Sequence, residues 1–195
     1  MREFDVELTR NFNFKEFIEA QLPAKAVQLN YNYLQLANDE KFFKVYTRCR
    51  DLAGILQGLR NEVNKNFQES NNGIEISIIL LSAGRTREWE KLRNRSGKSQ
   101  HVNWHAVDFR VGNIECNNLY NEVMEFCYNY FAKVNWMGGL AKRVITNNEV
   151  QSLIDKGEVD IAEIYLKRPM RFVHVDLREP EKIHEQRGYG ARWNY

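Results

Sequence analysis

Cysteine, proline and histidine are all scarce in this chain. The three cysteines, Cys49, Cys116 and Cys127, are odd in number and form no C-x-x-C pair. That excludes a disulfide framework and a cysteine-based zinc site as organising features, and it suits a reducing compartment. Long apolar runs are missing too. No segment is apolar for long enough to span a bilayer, and "MREFDVELTRNFNF" carries charges where a signal peptide needs an apolar stretch. The expectation is cytoplasmic synthesis without a signal peptide, and no membrane partner. Nor is one sign of charge in excess: Lys+Arg is 28 against Asp+Glu 26, a formal net charge of +2. That balance speaks against a nucleic-acid partner. Basic residues cluster only in "RTREWEKLRNRSGKS", which reads as a solvated surface or as a landing place for an anionic substrate.

What is present is enough for one core. A chain of 195 residues with 43% hydrophobic side chains suits a single domain, residues 1–195, with residues 1–40 as a lead-in packed on it. "LTRNFNFKEFIEAQLP" places Phe14, Phe17 and Ile18 on one face of a short helix. Residues 40–67 form a long amphipathic pattern, broken at Asn71, Asn72 and Gly73. "IEISIILLS" reads as a buried strand and "AVDFRV" as a second. A short helix is expected over Arg85–Arg95, a long one over residues 117–134, and another over "NNEVQSLIDKG". "IAEIYL" and "RFVHVDL" read as two antiparallel strands joined across Pro169. The expected class is α+β: a central antiparallel sheet with flanking helices. Nothing fixes the oligomeric state, and a monomer is the default expectation.

Two of only four histidines lie four apart in "SGKSQHVNWHAVDFRV". Catalytic zinc takes three protein ligands, and imidazole nitrogen and carboxylate oxygen are suitable donors. His101, Asp108 and His174 supply such a set, with His105 competing as a ligand. Asp108 alternates with Val107 and Phe109, and His174 with Val173 and Val175, so each polar side chain faces away from an apolar flank. His174 and Asp176 share a strand face. Buried polar groups of this kind need partners or a metal. A histidine within a strand also serves as a hydrogen-bonded core residue, so both readings stand at this point. His184 lies in a polar segment and reads as exposed. Trp89, Trp136 and Trp193 read either as cleft walls or as ordinary packing.

"SQHVNWHAVD" resembles the S-x-H-x-x-G-x-A-x-D motif of the zinc D-Ala-D-Ala carboxypeptidases and related murein peptidases, whose fold is shared with the hedgehog signalling domain. Ser99, His101, Ala106 and Asp108 match it. "FVHVD" is similar to the family's second metal signature and places the third ligand at His174. "LTRNFNFKEF", "SAGRTR" and "RGYGARWNY" resemble further family segments in the same order, so the likeness spans nearly the whole chain. It implies a hedgehog-like fold, a Zn2+ cofactor on His101, Asp108 and His174, and hydrolysis of peptidoglycan stem or cross-link peptides. It also implies that Arg85 or Arg87 binds a substrate carboxylate, a role suited to an arginine fork, with Ser99 beside the substrate. Action on the wall after release, or from a virion, follows from the likeness to phage lysins.

The chain departs from the family in three places. Trp104 stands at the glycine of the first motif, which implies a reshaped loop. Arg171 stands where the family has the glutamate of E-x-x-H, leaving Asp176 or Glu163 as the candidate general base. Asp176 has the alternative role of orienting a histidine. The arginine loop is also weakened. These departures keep a second expectation open: a catalytically inactive binding or virion module on the same fold.

Overall fold

The computed structural model describes residues 2–133 and 138–177, and the backbone of residues 192–194. The expected tail, with His184 and the side chain of Trp193, lies outside the described residues, as do Val134 and Trp136. The lead-in holds more structure than a single short helix. Strands β1 (Glu7–Thr9) and β2 (Phe12–Asn13) form a small antiparallel pair. Helix α1 (Phe14–Glu19) starts at a capping box between Asn13 and Glu16 and buries Phe14, Phe17 and Ile18. A further helix, α2 (Ala24–Leu36), follows; it buries Ala26, Asn30 and Leu34 at a four-residue spacing. Helix α3 (Asp39–Phe67) is the long helix expected from the periodicity, and Asn72 and Gly73 at positive φ end its exit turn.

The main sheet is α+β in the expected sense. Strands β3 (Ser77–Ser82), β4 (Ala106–Gly112), β5 (Leu140–Val144), β6 (Met170–Asp176) and β7 (Arg192–Asn194) lie in the order β3-β4-β6-β5-β7. All neighbouring pairs are antiparallel except β5 with β7, which is parallel. Helix α5 (Asn117–Lys133) and α3 cover one face. Val107, Phe109, Val111, Val173 and Val175 point into that core, which also takes in Phe12, Phe14 and Phe17 of the lead-in. Period-two alternation then sends Asp108, His174 and Asp176 to the opposite face.

One expected strand is a helix. "IAEIYL" lies in α7 (Val159–Lys167), which pairs with α6 (Asn147–Asp155) through the turn at Gly157, φ 78°. The physical reason is the position of β6. Its two edges are already hydrogen-bonded to β4 and β5, so no edge remains for a hairpin partner. The segment instead buries Ala162 against Ile145 and Val150, with Leu153 and Tyr165 around them, in a small cluster separate from the main core.

Asn30 joins the lead-in to the loop after β3. Its Nδ2 donates to the Ile18 carbonyl at 2.8 Å and to the Gly84 carbonyl at 2.9 Å, and the residue is fully buried. Asn30→Ala leaves both carbonyls without that donor and is expected to lower unfolding free energy by about 2 kcal/mol. Urea denaturation measures it; an unchanged midpoint and slope would show that the joint carries no stability.

Candidate metal centre

The register of β4 against β6 pairs Asp108 with His174 and Ala106 with Asp176. Directly opposed residues of antiparallel strands project to one face. His174 Nδ1 therefore meets Asp108 Oδ1 at 2.7 Å. The third member comes from outside the sheet. Residues Gln100–Asn103 make a single 3₁₀ turn, capped by the Ser99 hydroxyl, which accepts from the His101 amide at 3.3 Å. The turn drops His101 beside β4, with Nε2 3.3 Å from Asp108 Oδ2. One donor atom from each of His101, Asp108 and His174 lies within 4.8 Å of the others, so the three form a group able to hold a metal ion.

Hydrogen bonding fixes which nitrogens face the centre. His101 Nδ1 lies 2.8 Å from the Ala83 carbonyl. A carbonyl only accepts, so Nδ1 carries a proton and Nε2 is the nitrogen that faces Asp108 and would be the one offered to a metal. His174 Nε2 lies 3.3 Å from Asp176 Oδ2, which leaves Nδ1 for the centre. Each imidazole thus has an oxygen acceptor behind it, the usual support for a metal-bound histidine. Tetrahedral zinc–nitrogen and zinc–oxygen bonds separate ligand atoms by about 3.3 Å, so the observed spacings fit such an ion after small adjustments.

Asp176 does not face the centre. It is fully buried, its Oδ1 accepts from the Gly139 amide at 2.7 Å, and its Oδ2 sits at the far nitrogen of His174. A base must reach a reacting proton, and Asp176 is placed to orient His174 instead. Glu163 is further off the mark. It is an exposed residue of α7, and the hairpin register it needed does not exist. His105 is not part of the group: its third member is His101.

Trp104 keeps the backbone conformation that a glycine would favour. It is left-handed, φ 59° and ψ 27°, at a cost of about 1–2 kcal/mol for a residue with a side chain. The expected reshaping is in the packing. The indole is buried over Gly84, where a Cβ would lie 1.9 Å from Cε3 of Trp104. Glycine at position 84 therefore makes room for tryptophan at 104.

A cleft of about 1060 Å³ opens over the three residues. Arg85 lines it, while Arg87 is exposed on α4 (Arg87–Leu92) and does not. Thr86 caps that helix, so the chain turns between the two arginines. Ser99 also lines the cleft. Trp89 is outside it, with the Arg93 guanidinium 5.8 Å from its ring. The sequence reading missed Glu90. This carboxylate is 2% exposed. Its Oε1 lies 3.3 Å from Arg95 Nη1 and 3.5 Å from Arg85 Nε, the latter an ionic contact without an aligned hydrogen bond. The signal that marks it in the sequence is an acid inside a basic run, four residues after a helix-capping threonine.

Burial, the largest effect on Asp108, raises its pKa, but His101 and His174 together outweigh it and hold the carboxyl well below the usual range. Burial likewise opposes charge on His174, yet hydrogen bonds to Asp108 and Asp176 and their negative charges raise it to about 9. No family model, curated protein or solved structure matches the chain.

Two outcomes follow from this geometry. At pH 7 the metal-free chain holds the raised His174 proton, and metal uptake must expel it. Apparent metal affinity is therefore expected to climb with pH and level off near 9; titration calorimetry in buffers of different ionisation enthalpy measures the released proton. Asp176→Asn keeps the shape but weakens the acceptor behind His174. A loss of about 10–100-fold in zinc affinity is expected, and equal affinity would remove Asp176 from the site.

Proposed function

We propose that the chain is a zinc-dependent peptidase that hydrolyses peptide bonds in peptidoglycan stem or cross-link peptides, on a hedgehog/D-Ala-D-Ala peptidase-like fold. The observation that carries this reading is the convergence of His101 Nε2, Asp108 and His174 Nδ1, each with its other polar atoms engaged, at the floor of an open cleft. The resemblance of the same three positions to the murein-peptidase signatures supports it independently.

Zinc held there would acidify a bound water and polarise the scissile carbonyl. The chain's own residues supply the rest. Ala83 and Asp176 hold the two imidazoles in their productive orientation. Arg85 offers its guanidinium to a substrate carboxylate, and Glu90 and Asp108 draw that cation into the cleft against the cost of its burial. Glu90 is a positioning residue: its Oε1 contacts both Arg85 and Arg95 and holds them at the cleft wall.

One observation favours the second reading, an inactive binding or virion module on the same fold. Among the described residues, the carboxylates lining the cleft are Asp108 and Glu90, and neither stands as a base beside a reacting water. Metal analysis of the purified chain, followed by mass spectrometry of a stem-peptide digest, separates the two. The peptidase reading expects stoichiometric zinc and a defined cleavage product. It also expects His174→Ala to lose both, and Glu90→Gln to raise KM about tenfold with a smaller change in kcat. Zinc without cleavage across a range of pH establishes the module; full activity in His174→Ala overturns the metal assignment.

A further inference from the structure

The floor of the cleft continues past the metal residues. Asp108 and Phe172 also line a second cavity, of about 530 Å³. Its far wall is α7, through Ile164 and Tyr165, and its other side is built by Ser82, Arg110, Arg168 and Arg171. A volume of this size holds one or two peptide residues.

Two independent features mark this cavity as a binding site. The first is Ser82. It is the register partner of Asp108 on β3, it is 9% exposed, and its Oγ is buried without a hydrogen-bond partner. A buried hydroxyl left unpaired is costly, and native structures seldom carry one without a ligand or function to explain it. The second is charge. The Arg168 guanidinium donates to Asn117 Oδ1 at 2.6 Å and to the Ile114 carbonyl at 2.7 Å, and it stacks 4.5 Å from the Tyr120 ring centre. Arg110 donates to the Val111 carbonyl at 3.2 Å, and Arg171 stacks 4.9 Å from the Tyr165 ring centre. These partners fix the three side chains and are all neutral, so among the described residues no acid forms an ion pair with any of the three arginines. Asp108, the one acid lining this cavity among the described residues, is already committed to the two histidines.

We propose that this cavity is an anion subsite for an acidic peptide: a carboxylate of the substrate sits among Ser82, Arg110 and Arg171. The inference rests on the peptidase reading for its substrate and extends it. On the other side of the metal residues, Arg85 receives a second carboxylate. The scissile bond is thus flanked by carboxylates on both sides. Hydrolysis consumes one water, whose oxygen joins the carbonyl carbon while the C–N bond breaks and the amine leaves with a proton. Arg171 takes the place of the family glutamate, so a negative group has been exchanged for one that attracts the substrate's charge.

The probes are the stem pentapeptide L-Ala-γ-D-Glu-meso-diaminopimelate-D-Ala-D-Ala and a derivative whose internal carboxylates are carboxamides. Binding to the full chain is measured by calorimetry with and without zinc, and hydrolysis by mass spectrometry. The acidic peptide is expected to bind about tenfold more tightly than the amidated one. Arg171→Gln, a change at an exposed side chain, is expected to erase most of that preference while leaving affinity for the amidated peptide within about twofold. Ser82→Ala is the second variant and is expected to act in the same direction. Preference that is absent in the wild type, or undiminished in Arg171→Gln, overturns the subsite even where the wild type cleaves the peptide. Preference lost in Arg171→Gln, with no cleavage by the wild type, supports the subsite and removes the peptidase reading alone.

Discussion

The pairing of β4 with β6 is the constraint on which the cleft depends. Asp108 stands opposite His174 and Ala106 opposite Asp176. A slip of one residue would turn Asp108 and His174 into the apolar face and push Val107 and Val175 out. The register is held by that apolar face, where Val107, Phe109, Val173 and Val175 are fully buried beneath α3 and α5. The core that stabilises the sheet is therefore the same device that aims the polar residues. Burying an aspartate and two histidines is unfavourable unless they compensate one another. Here they do: one carboxylate meets both rings, and a second carboxylate and a backbone carbonyl take the outer nitrogens.

Much of this was legible in the sequence because the signals are periodic and local. Alternation in "AVDFRV" and "FVHVD" puts the polar residues on one face whatever the tertiary fold. A capping threonine, a capping box or an Asn-Gly break marks where helices start and stop. What escaped depends on neighbours. In α2 the buried stripe is Ala26, Asn30 and Leu34, and an asparagine in the middle hides the apolar period. "IAEIYL" is apolar and short, and such runs fit strand or helix equally well; only the occupied edges of β6 decide it. Asp176 shared a face with His174, as alternation requires. Its burial behind the ring depends on Gly139, a contact across the sheet that spacing does not encode.

Trp104 and Gly84 illustrate a trade that neither position reveals alone. A left-handed residue closes the turn that carries His101, and glycine is the usual occupant of such a position. Tryptophan accepts the strained backbone and regains stability by burying its ring on a glycine from the loop that carries Arg85. The two loops are further stitched by the Arg85 amide donating to the His101 carbonyl at 3.1 Å and by His101 Nδ1 donating to the Ala83 carbonyl. The histidine that completes the metal group and the arginine that enters the cleft are thereby held as one unit.

The helical pair α6–α7 stands in a different relation to the sheet. Its apolar contacts form their own small cluster around Val150 and Ala162. Its junction with β6 is fastened by polar bonds from Arg168 to Ile114, Glu115 and Asn117 at the start of α5. The wall of the second cavity is thus attached at the connection between β5 and β6 and draws little on the core beneath the metal residues. Changes in α7 alter the shape and charge beside Asp108 while the β4–β6 register stays as it is. A scaffold divided in this way lets the helical pair vary without disturbing the strands that hold Asp108 and His174, because the two are stabilised by separate sets of buried side chains.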